Sequence, residues 1–65
     1  MNLLDRLAEL ERALEEEVER LDRDVPRARE RGFAELAKSL SHWRARLNGL
    51  RVRLTQTRRE AAGAT

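Results

Sequence analysis

The stretch Arg44-Ala45-Arg46-Leu47-Asn48-Gly49-Leu50-Arg51-Val52-Arg53-Leu54, RARLNGLRVRL, admits two incompatible folds. Asn-Gly between runs that alternate apolar and polar is a strong hairpin signal. The same leucines also fall three and four apart, which is helix spacing. A hairpin here would pair Leu47 with Leu50, Ala45 with Val52 and Trp43 with Leu54 on one face. Its other face would set Arg46 against Arg51 and Arg44 against Arg53, and like charges directly opposite destabilise a ribbon. A lone two-stranded ribbon is marginal in water, and no third strand is on offer. Arg, Leu and Ala are good helix formers, and Val52 is the one β-branched residue of the stretch. The helix is therefore predicted, with Gly49 at an exposed position where it costs about 1 kcal/mol relative to Ala. Val52 then faces outward, which the helix by itself does not explain.

Working outward from this stretch, a heptad extends in both directions. Phe33, Leu40, Leu47, Leu54 and Ala61 recur at seven, as do Leu36, Trp43, Leu50 and Thr57. With Phe33 at position a and Leu36 at d, Arg44, Arg51 and Arg58 fall at e, and Arg46 and Arg53 at g. The arginines thus border an apolar seam. The predicted second helix covers about 33–60, with a frayed tail over 61–65.

The N-terminal part reads as another helix, about 2–24. Asn2 is placed as N-cap with Asp5 three residues on, and acids crowd the first half of the helix, complementing its dipole. Leu3, Leu7, Leu10, Leu14, Val18, Leu21 and Val25 form its stripe, with a repeat of eleven. Asp5, Glu9, Glu16 and Glu19 lie opposite. Pro26 lacks a donor and pushes Val25 towards an extended conformation, so a connector is expected within 24–32, with Gly32 as a second break. Alternatively Asp24 caps the second helix, with Pro26 in its first turn and Gly32 inside it. Either way the fold class is all-α: one domain, a two-helix antiparallel hairpin.

The composition bounds the function. The 65 residues hold no cysteine, which excludes disulfides and thiolate zinc sites. No apolar run approaches a membrane span, and the N-terminus lacks a basic region before an apolar core, so a cytoplasmic protein is expected. His42 has Ser39 and Ser41 nearby but no carboxylate spaced to orient it, and no phosphate loop or HExxH occurs. No catalytic residue, cofactor or metal is therefore predicted.

Charge is split between the halves. Residues 1–26 carry nine acids and four arginines, whereas residues 27–65 carry ten Arg or Lys and three acids. Packing the helices antiparallel lets Glu11, Glu15, Glu17, Asp22 and Asp24, which border the first stripe, meet the arginines of the second. Each exposed pair contributes only about 0–1 kcal/mol, but such pairs select partner and register.

Two helices cover their stripes on one side only. Burying a large apolar side chain fully contributes about 1.5–3 kcal/mol, which favours dimerisation into a four-helix bundle. The predicted oligomer seam comprises Leu3, Leu7, Leu10, Leu14, Val18, Leu21, Phe33, Leu36, Leu40, Trp43, Leu47, Leu50 and Leu54. This architecture is similar to that of Rop-type plasmid proteins, helical hairpins that dimerise and bind RNA. The resemblance is one of architecture and transfers no residue.

The function expected is that of a small non-enzymatic regulator or adaptor, a homodimer binding another protein, with Trp43 in the core or as a partner anchor. The second reading is RNA or DNA binding by the basic helix. Arg44, Arg46, Arg51, Val52, Arg53, Arg58 and Arg59 are the candidate partner or nucleic-acid contacts, with Lys38 beside them. No helix-turn-helix or zinc-finger pattern and no free base-stacking aromatic accompanies them. A membrane surface is disfavoured, because the acidic helix would repel anionic lipid.

Overall fold

A computed structural model describes residues 2–64 and consists of two antiparallel helices, α1 (Leu3–Glu30) and α2 (Ala34–Gly63). The stretch RARLNGLRVRL is helical throughout. No strand occurs among the described residues, and the molecule is an all-α hairpin.

Asn2 caps α1 as its sequence suggests: its Oδ1 accepts the Asp5 N–H at 3.1 Å. The far end differs from expectation. α1 continues past residue 24, through Pro26, to Glu30, and the connector shrinks to residues 31–33. Pro26 lies on the exposed side, so its missing N–H leaves the Asp22 carbonyl facing water. Val25 and Ala28, on either side of it in sequence, are buried against α2, and that packing carries the helix across the proline.

Gly32 makes the actual stop. It adopts φ +81°, a left-handed conformation that favours glycine. The Gly32 N–H donates to the Arg29 carbonyl at 3.0 Å and the Phe33 N–H to the Ala28 carbonyl at 2.8 Å. These two bonds form a Schellman motif, which satisfies carbonyls at the end of α1 while reversing the chain. Gly32 is therefore in the turn, not inside the second helix. The C-terminal residues also differ from expectation: Ala61–Gly63 stay helical, and the Ala64 N–H donates to the Glu60 carbonyl at 3.0 Å. Thr65 lies outside the described residues.

The seam of α1 is not the eleven-residue stripe. Its inward side chains form two seven-residue rows, Leu4, Glu11, Val18 and Val25 beside Leu7, Leu14, Leu21 and Ala28. Leu3 and Leu10 fall outside them, 82% and 43% exposed. On α2 the inward rows are Ala37, Arg44, Arg51 and Arg58 beside Leu40, Leu47, Leu54 and Ala61. The row Leu36, Trp43, Leu50 and Thr57 turns outward. Relative to the predicted a/d seam, α2 is rotated by about 50°, half of the 100° step between neighbouring residues. The rotation brings the arginine row against α1 and leaves half of the apolar stripe uncovered.

Packing is correspondingly thin. Val18, Leu21, Val25, Ala28 and Ala37 are the buried apolar residues among those described, and no large side chain is completely enclosed. The molecule is a single layer measuring 51 × 18 × 11 Å, with a radius of gyration of 15.0 Å. A compact domain of this length would have about 11 Å.

Candidate protein-binding face

The seam has two unlike edges. Along one, acids of α1 hold the inward arginines of α2. Arg44 Nε donates to Asp22 Oδ1 at 2.9 Å, and Arg51 Nη1 lies 3.8 Å from Glu15 Oε1. Glu11 sits in the seam itself, accepting from Arg58 Nε at 2.7 Å and from the Thr55 hydroxyl at 2.6 Å. Those two hydrogen bonds, Arg58 first, hold the Glu11 carboxyl below its ordinary range, and the same contact raises the Arg58 guanidinium. Arg51 also donates from Nε to Asn48 Oδ1 at 3.3 Å.

Along the other edge the apolar row of α2 is open. Leu36, Trp43 and Leu50 are 51%, 53% and 52% exposed, and Phe33 at the turn continues the row. The pairs Glu11–Thr55, Glu15–Arg51 and Asp22–Arg44 fix which levels of the two helices face each other. At those levels Asp24 lies beside Trp43 and Glu17 beside Leu50. In an antiparallel pair the row containing Leu3, Leu10, Glu17 and Asp24 flanks the same edge as Leu36, Trp43 and Leu50. A shallow groove lined by Asp24, Ala28, Phe33, Leu36 and Leu40 joins the two helices on this edge. Beyond the row, Arg46 stacks its guanidinium 5.6 Å from the Trp43 ring centre, and His42 meets that ring edge-on at 6.1 Å. Arg53 lies two turns beyond Arg46 and borders Gly49 and Leu50.

The expected site residues therefore separate into groups. Leu7, Leu14, Val18, Leu21, Leu40, Leu47 and Leu54 line the contact between α1 and α2. Leu3, Leu10, Phe33, Leu36, Trp43 and Leu50 do not; they lie exposed. Arg44, Arg51 and Arg58 are turned towards acids of α1, whereas Arg46, Arg53 and Arg59 face outward. Val52 is 49% exposed on the outer side of α2. Sequence reasoning missed Leu4, Glu11, Ala28, Ala37 and Thr55 as seam residues. A strict search for sevens from Leu4 and from Leu7 would have found the first three, had a carboxylate been admitted to the seam.

The fold defines a class, the antiparallel helical hairpin with one open apolar face. Compared with protein-family models, curated proteins and solved structures, the chain finds no match. Among the described residues no three of His, Cys, Asp and Glu group to hold a metal ion. No helix among the described residues is long and apolar enough to cross a membrane.

Proposed function

We propose that this chain is a non-enzymatic protein-binding module, a small regulator or adaptor, and that its contact surface is the open edge of Leu36, Trp43 and Leu50. The observation that carries this reading is the row itself: three large apolar side chains, each about half exposed, aligned at seven-residue spacing beside a groove. Such a contiguous row with a polar border is the pattern of a contact surface, whereas singly scattered apolar residues carry no such meaning. Trp43 at its centre is the residue type that dominates binding energy in well-packed contacts. Two further helices laid on this edge complete a four-helix bundle and cover the row.

Nucleic-acid binding is the second reading, and the arrangement of arginines gives it less support. Three of the six arginines that could serve phosphates already face carboxylates of α1. The test compares the wild type with Trp43→Glu/Leu50→Glu, whose substitutions lie outside the α1–α2 seam and should leave helical content intact. Immobilised wild type should retain protein that the variant does not. Equal retention would contradict the reading, and a salt-dependent gel shift shared by both chains would favour nucleic acid instead.

A further inference from the structure

We infer that the two helices closing this face belong to a second copy of the same chain, placed so that α1 of one copy lies over α2 of the other; this rests on reading the open edge as a protein contact. The first support is area. A compact monomer of 7.6 kDa exposes about 4,300 Å². This hairpin exposes 5248 Å², about 950 Å² more. A standard protein interface removes about 800 Å² from each partner. The excess is thus what one symmetric contact would remove.

The second support is shape. The open face runs the length of a flat two-helix layer, and the occupant that matches it in length and width is another such layer. A single docked peptide helix would leave part of the row uncovered.

The third support is charge, which also sets the orientation. The face is mixed along its α1 side: Glu17 and Asp24 border the row, with Arg20 3.0 Å from Glu17 and with Arg27 and Arg31 beside Asp24 in the groove. It is basic along its α2 side, where Arg46 and Arg53 border the row. A two-fold axis parallel to the helices carries Arg46 and Arg53 of each copy onto the side where the partner presents Glu17 and Asp24. An axis across the helices would instead lay α2 on α2, so that Arg46 and Arg53 face the arginines of the other copy. The first arrangement is self-complementary, and it also brings Trp43 over the partner's seam.

The test is sedimentation equilibrium of the full chain from about 1 to 100 μM, the range in which modest apolar interfaces dissociate. The expected mass approaches twice 7.6 kDa. Arg46→Glu/Arg53→Glu and Glu17→Lys/Asp24→Lys should each self-associate at least about tenfold more weakly, and an equimolar mixture of the two should regain the wild-type affinity. A wild type that stays monomeric overturns the inference, as does a dimer indifferent to Trp43→Glu/Leu50→Glu. Undiminished self-association of Arg46→Glu/Arg53→Glu overturns the orientation. A monomer that still retains a foreign protein through Trp43 and Leu50 leaves the reading of the face standing. A monomer that retains nothing removes both.

Discussion

Arg58 reaches across the seam to Glu11, 47 residues away in sequence, and closes a 2.7 Å hydrogen bond where a coiled coil would ordinarily place two apolar side chains. The Glu11 side chain is only 13% exposed, and Thr55 satisfies its second oxygen. A polar layer of this kind contributes little net stability compared with an apolar one, but it penalises every shifted pairing of the two helices, because a displaced Glu11 would be left without donors. It is a register device.

That contact makes stability depend on acid. A carboxyl held below its ordinary value stabilises the fold above that value, and the contribution is lost as pH falls through the lowered one. For Glu11 the ordinary value is 4.5, so the loss occurs below it. Thermal melts between about pH 5 and pH 2 should fall more steeply for the wild type than for Glu11→Gln, which is also the less stable chain at pH 7. Parallel curves would show that the carboxylate is not held by Arg58 and Thr55.

Two glycines should respond in opposite directions. A Cβ at Gly49 meets no atom within 4 Å, and its backbone is helical, so Gly49→Ala should raise stability by about 0.5–1 kcal/mol. Gly32 is equally open but sits at φ +81°, and Gly32→Ala should lower stability by about 1–2 kcal/mol. Urea unfolding of both variants checks the pair; a stabilising Gly32→Ala would mean that the turn is not left-handed.

Pro26→Ala restores a donor to the Asp22 carbonyl and removes the ring's clash with it. An interior proline costs about 3 kcal/mol in a helix, offset by up to about 1 kcal/mol of unfolded-chain entropy that alanine gives back. The melting temperature should rise. A fall would mean that the connector begins before Pro26.

The seam rows separate the leucines of α1. Leu21 is 7% exposed, and Leu21→Ala should destabilise by about 2–3 kcal/mol. Leu3→Ala, at a position outside the seam, should change stability by less than about 0.5 kcal/mol. Similar losses at both positions would restore the eleven-residue stripe.

Several of these features were legible in the sequence. Asn2 announced the start of α1, and the like-charged pairs of a hypothetical ribbon decided RARLNGLRVRL in favour of a helix. The end of α1 was hidden because a proline is read as a breaker. Whether a helix crosses one depends on flanking residues such as Val25 and Ala28 finding a partner, which is tertiary information. The rotation of α2 was hidden for a similar reason. Leu36, Trp43 and Leu50 look like core by hydropathy alone. They lose their place to Arg44, Arg51 and Arg58 because the long apolar stems of arginine can line a seam while their heads reach Asp22 and Glu15 at its rim and Glu11 within it. Hydropathy counts arginine only by its charge.

The emission of Trp43, the sole tryptophan, is the most direct measure of the central claim. In the lone hairpin the residue is half exposed; the proposed bundle would cover it. Diluting the protein from high to low micromolar concentration should shift the emission to longer wavelength, in step with dissociation and with helical content retained. A blue-shifted emission that does not change on dilution, in a chain that sediments as a monomer, would place Trp43 in the α1–α2 seam and contradict the open face.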